Sequence, residues 1–122
     1  MTVAKPLIVV AEDDVFSREA LALILSDWGA EVVLGADERE IEAGLGGRWA
    51  ELAWIITDFH LGPESDGVTL AQRLVNRAPQ ARVLVLSGSF HGRAPAVAKL
   101  AGYDVMHKPA RADAIVAWLE RA

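Results

Sequence analysis

Five short apolar runs punctuate this chain, at Leu7–Ala11, Val32–Ala36, Ala53–Thr57, Val83–Ser87 and Val105–His107. The first, third and fourth ("LIVVA", "AWIIT", "VLVLS") are continuous and rich in β-branched residues, as expected of central parallel strands covered on both faces. The second and fifth are more mixed or shorter, which suits strands nearer an edge. Between the first two runs, "FSREALALILSDWG" sets Leu21, Ile24, Leu25 and Trp28 on one helical face, with Gly29 as the stop. Helical patterns follow in "DEREIEAGL", where Asp37 is a candidate N-cap, and in "GVTLAQRLVNRA", closed by Pro79. A shorter "APAVAKLA" and a final "RADAIVAWLERA" complete the alternation. Strand–helix alternation of this kind predicts right-handed βαβ units and a parallel sheet with helices on both faces.

Composition narrows the class without changing that picture. At 122 residues the chain is the length of one compact domain, and 52% apolar residues place it far from the disordered regime. No apolar run approaches the roughly 18 residues of a membrane span, and no signal-peptide pattern opens the chain, so the expectation is a cytoplasmic protein with no membrane partner. The absence of cysteine excludes disulfides, thiolate chemistry and cysteine-ligated zinc. A net charge of −5 argues against direct nucleic-acid binding, which needs a basic face.

The topology places the chemistry before any motif does. In open α/β sheets, sites lie beyond the carboxyl ends of the strands. Those ends carry Glu12-Asp13-Asp14, Thr57-Asp58, Ser87-Gly88 and His107-Lys108-Pro109. Glu12, Asp13 and Asp58 would thus converge, although two carboxylates about 4 Å apart repel by roughly 4 kcal/mol at an effective dielectric near 20. Such a cluster either shares protons or holds a divalent cation. Oxygen ligands suit a hard ion, and Mg²⁺ shares its sphere readily with phosphate. Phosphoryl transfer onto Asp58 would form an acyl phosphate, with Lys108 neutralising charge and Ser87 holding one oxygen.

The segments "VVAEDD", "IITDFHL", "VLVLSGS" and "HKPA", in that order and over essentially the whole chain, resemble the receiver domain of two-component response regulators. The resemblance implies a flavodoxin-like (βα)5 fold, a doubly wound five-stranded parallel sheet of order 2-1-3-4-5, in a single receiver domain over residues 1–122. It implies Glu12 and Asp13 as the metal-binding acidic pair, Asp58 as phosphoacceptor and the backbone carbonyl of His60 as a further Mg²⁺ ligand. Ser87 and Lys108 match the family's hydroxyl and lysine, the Lys108–Pro109 bond is expected to be cis, and Asp14 falls to a helix cap. The implied partner is a histidine kinase or a histidine phosphotransfer domain. The helix-one and last-helix surfaces are the usual kinase-facing and dimer-facing regions, which allows a homodimer. His60 occupies a position that influences acyl-phosphate lifetime in this family.

Departures from the family pattern are local. Val105 stands where receivers usually carry an aromatic, and Tyr103 is two positions too early to replace it. The loop "DFHLGPESDG" is slightly long, with Gly62 before Pro63, and "AGYDVMHKP" slightly short. "GYDVMHKPAR" most resembles receivers attached to hybrid sensor kinases. The chain stops after the last helical pattern, so a stand-alone receiver and one cut from a longer protein are both open, with no output module expected.

Taken singly, the acids read as a solvated strand-to-helix turn, Asp58 as a cap, Lys108 as a surface lysine and Ser87 as a strand end. Their convergence outweighs those readings. His60, His91 and His107 lack metal-ligand spacing, and "GLGG" lacks the lysine of a phosphate loop. Trp28, Trp54 and Trp118 read as packing residues, while Trp49 is unassigned and Phe16 is either core or exposed to a partner. Two rival functions stand beside the signalling module. One is a receiver-like interaction domain that no longer signals by phosphate, motivated by Val105. The other is a haloacid-dehalogenase-type phosphatase, disfavoured because His60 sits where that family needs a second acid.

Overall fold

The computed structural model describes residues 5–62, 66–88 and 93–121. Strands β1 (Leu7–Ala11), β2 (Glu31–Gly35), β3 (Leu52–Asp58), β4 (Arg82–Ser87) and β5 (Asp104–His107) alternate with helices α1 (Val15–Trp28), α2 (Glu38–Leu45), α3 (Gly67–Arg77), α4 (Arg93–Leu100) and α5 (Ala112–Glu120). All neighbouring strands pair in parallel, in the order β2-β1-β3-β4-β5, so the expected flavodoxin-like architecture is present. Four strands begin one residue earlier than the apolar runs indicated: the polar residues Glu31, Arg82 and Asp104 join the ladder through their backbones, and the buried Leu52 pairs with Leu7 ahead of a register shift.

Alternation along the strands builds two cores. Leu7, Val9, Ala11, Ile55, Val83 and Val85 face Ile41, Leu45, Leu70 and Leu74 of α2 and α3. Their neighbours Ile8, Val10, Ile56, Leu84 and Leu86 face Leu21 and Leu25 of α1 and Ile115, Trp118 and Leu119 of α5. A period of two residues sends successive side chains to opposite faces, which is why these strands read as unbroken apolar runs. The edge strands β2 and β5 are only partly buried, as their mixed composition indicated.

Local chemistry sets the helix boundaries. Asp14, Asp37 and Asp66 each have extended backbone and accept an N–H of the first turn with their carboxylates, from Ser17, Glu40 and Thr69. Gly29, at φ 115°, closes α1 by sending its N–H back to Leu25 and Ser26. Trp28 and Trp54 meet edge to face at 5.8 Å, and Trp118 is fully buried with its indole N–H donating to Asp104. Trp49 is a packing residue as well: the Arg77 guanidinium lies 3.9 Å from its ring centre, and Gln80 donates to its carbonyl. This end of the sheet is further tied by Arg48, which bridges Glu31 and Glu51.

Among the described residues no helix is long and apolar enough to cross a membrane. His91 and Pro63 lie outside the described residues. Ile56, fully buried at the centre of the sheet against α1 and α5, tests the packing. Ile56→Ala is expected to lower unfolding stability by about 2–5 kcal/mol, measured as a lower urea midpoint at unchanged slope.

Candidate functional site

Parallel pairing brings the carboxyl ends of β1, β3, β4 and β5 to one edge. Ala11 pairs with Thr57, Asp58 with Leu86 and Ser87 with His107, so Glu12, Asp58, Ser87 and Lys108 follow or end strands at nearly the same level. Glu12, Asp13 and Asp58 each offer a carboxylate oxygen, and these atoms lie within 4.8 Å of one another. Asp13 is exposed, whereas Glu12 is 1% and Asp58 8% exposed.

Lys108 enters between the two buried acids. Its Nζ lies 2.9 Å from Asp58 Oδ2 and 3.1 Å from Glu12 Oε2. The lysine is anchored by its own backbone, whose N–H donates to the Ser87 carbonyl at 2.8 Å, and the Lys108–Pro109 bond is cis. The other Glu12 oxygen accepts the Asp14 N–H at 3.1 Å, while Arg18 donates to the Glu12 carbonyl at 3.3 Å. Asp14 points away to cap α1, in accord with its assignment to the helix rather than to the cluster.

These contacts shift the titrations. Burial raises Glu12, and the N–H of Asp14 and the ammonium of Lys108 only partly offset it. Burial pulls Lys108 down, but its hydrogen bonds and charge interactions with Asp58 and Glu12 prevail and raise it. Asp14 is lowered, first by the Ser17 N–H it accepts. Three carboxylates against one ammonium leave an excess of negative charge at the strand ends. An all-oxygen donor set with that excess fits a hard divalent cation.

A family model for the response regulator receiver domain matches residues 8–120. The chain belongs to the response regulator receiver domain family. This receiver is similar in structure to the chemotaxis protein CheY4 of Vibrio cholerae, at 22% identity, 97% coverage of this chain, 98% of that chain and a TM-score of 0.81. It is also similar to a response regulator of Burkholderia pseudomallei solved with a phosphorylated aspartic acid, calcium ion and citrate (29% identity, 96% of this chain, 67% of that one, TM-score 0.77). A third similar structure is the CheX-CheY-BeF3-Mg complex of Borrelia burgdorferi (18% identity, 93% and 85% covered, TM-score 0.77). No curated protein matches the chain.

Within the receiver, sequence-predicted residues fall into two groups. Glu12, Asp13, Asp58 and Lys108 converge in direct contact or near contact, and Ser87, 1% exposed, ends the adjoining strand. His60 is exposed, its ring edge-on to Phe59 at 4.9 Å and its backbone bridged to Asp66. Val105 and Tyr103 both pack, half-buried, against the core shared with α2 and α3. Burial raises the Tyr103 hydroxyl. Phe16 is 82% exposed, which resolves it in favour of the surface. Arg18 escaped the sequence reading, and Thr57 was placed at a strand end without a role: a helix arginine and a strand threonine carry no motif, and only contact reveals their bonds to Glu12 and Asp58.

A raised carboxyl means that the folded receiver holds the Glu12 proton more tightly than the unfolded chain does. The stability linked to Glu12 is therefore complete below the ordinary value of 4.5 and is lost as pH rises through the raised value. Lys108 behaves likewise around its own range, contributing fully below 10.5 and fading as pH climbs through its raised value. In chelator at neutral pH, Glu12→Gln is expected to melt above the wild type, with the gap closing toward pH 4.5. A thermal midpoint below the wild type at neutral pH would contradict this assignment.

Proposed function

We propose that this chain, as one receiver unit over residues 1–122, accepts a phosphoryl group on Asp58 from a partner's phosphohistidine and thereby changes its affinity for a partner. Receiver domains are signalling domains of two-component systems, and the chain belongs to that family. The observation that carries the finer reading is the contact of Lys108 Nζ with Asp58 Oδ2 at 2.9 Å beside the acids Glu12 and Asp13. In this reading an Asp58 carboxylate oxygen attacks phosphorus in line, the bond from phosphorus to the donor nitrogen breaks, and the electron pair leaves with the imidazole.

Asp13, Asp58, Glu12 and the His60 carbonyl are the groups that would hold Mg²⁺. The ion, when bound, supplies charge neutralisation for the phosphoryl oxygens. Lys108 is already positioned by its backbone bond to Ser87, so its ammonium can pass from the Asp58 carboxylate to a phosphoryl oxygen with little reorganisation. The Ser87 hydroxyl would donate to another oxygen. Hydrolysis of the acyl phosphate returns the free carboxylate, so the domain acts on its own aspartate rather than on a diffusible substrate.

The partner class in this reading is a cytoplasmic histidine kinase or histidine phosphotransfer domain. Support comes from the acidic site's chemistry and from the Burkholderia and Borrelia neighbours, whose structures contain a phosphorylated aspartic acid with calcium, and BeF3 with magnesium. Incubation with a small phosphodonor and Mg²⁺, followed by intact mass, is expected to show one added phosphoryl group. The addition should vanish in Asp58→Asn and under chelation. Labelling of the folded Asp58→Asn variant at the wild-type level would refute the assignment of the acceptor.

A further inference from the structure

Thr57, which immediately precedes Asp58, is fully buried, and its hydroxyl donates to the Asp58 carbonyl at 2.9 Å. The peptide between Asp58 and Phe59 explains why that carbonyl needs a donor. Its N–H goes to Leu86 on β4 at 2.9 Å, and in a trans peptide the C=O points the opposite way, away from β4. There β1 has already ended its pairing with β3, at Ala11 and Thr57. A buried carbonyl left without a donor is costly, and the threonine hydroxyl supplies one.

The same spot is closed from behind by the start of α3. The Gly67 N–H donates to the Phe59 carbonyl at 2.6 Å. A Cβ at Gly67 would collide with the Asp58 carbonyl oxygen and would come within 2.6 Å of the Thr57 hydroxyl. The bare Gly67 backbone therefore presses directly on the peptide that follows the proposed phosphoacceptor.

We infer that Thr57 is a positioning residue for Asp58: its hydroxyl, confined by Gly67, holds the Asp58 carbonyl and so fixes the direction of the carboxylate toward Lys108 and Asp13. This rests on the proposed role of Asp58. Hydroxyl loss would free the peptide to tilt, and displacement of a nucleophile by a fraction of an ångström is enough to slow an in-line reaction.

The test compares Thr57→Val, close in shape but without a hydroxyl, with Thr57→Ser, which keeps it. Calorimetry with Mg²⁺ alone gives the metal Kd, and intact mass over time with a small phosphodonor at saturating Mg²⁺ gives the phosphorylation rate. Thr57→Val is expected to lose roughly tenfold in both, and Thr57→Ser to recover most of each. If Thr57→Val does not fold, Thr57→Ala makes the same comparison without added apolar bulk against Gly67. A merely structural threonine would lower the thermal midpoint of the valine variant and leave Kd and rate unchanged, which overturns the inference. So does a serine variant as impaired as the valine one. A folded wild type that takes no phosphoryl group overturns the proposed function and this inference with it, whereas a reactive wild type matched by Thr57→Val overturns this inference alone.

Discussion

The ammonium of Lys108 sits between two buried carboxylates, and the geometry of the sheet edge depends on it. Glu12 and Asp58 are nearly closed to solvent, so water cannot screen their repulsion as it would at an exposed turn. A single cation 2.9 and 3.1 Å from the two acids makes their approach tolerable, while Asp13 remains exposed at the rim. The compensation is incomplete, as the raised Glu12 indicates. A site left with excess negative charge in a polar, partly open setting is suited to a hard cation and, through it, to a phosphoryl group.

The rigidity behind the acids comes from the two apolar layers. Strands covered on both faces hold their ends with little freedom, because every backbone step is paired and every side chain packed. Lys108 is set by its backbone bond to Ser87, and Glu12 by its own N–H bonded to the Gly35 carbonyl and by the Arg18 contact. Asp58 is gripped on one side by Leu86 and on the other by Thr57 and the glycine start of α3. Preorganisation of this kind lets a site bind charge without first rearranging.

At β5 this receiver departs from the usual family pattern. Val105 has neither the size nor the hydroxyl of an aromatic reporter, and it packs with Tyr103 against the core rather than standing free at the edge. Exposed apolar side chains occur instead elsewhere: Phe16 at the start of α1, Leu23 along it and Leu100 at the end of α4. The acidic cluster around Asp58 is thus complete although the β5 position usually held by an aromatic is filled by a packed valine.

Much of the architecture was legible in the chain because its signals are local. A run such as "VLVLS" can only be satisfied by cover on both faces, and an aspartate before a helical pattern finds its N–H partners within a single turn, as Asp14 and Asp37 do. The candidate site was legible too, through strand ends whose polar residues interrupt a greasy sheet. Strand starts were less clear, since Glu31, Arg82 and Asp104 join the ladder by backbone bonds that carry no side-chain signature. The helical period already set Leu21 and Leu25 on the apolar face of α1, but tertiary structure alone decided that Phe16 is solvent-facing, because only the packed sheet defines how wide a stripe of that helix is covered. It also decided what Thr57 and Arg18 touch: a hydroxyl or guanidinium has many candidate partners in sequence, and the choice is made by distances that exist only after β1, β3 and α1 have packed together.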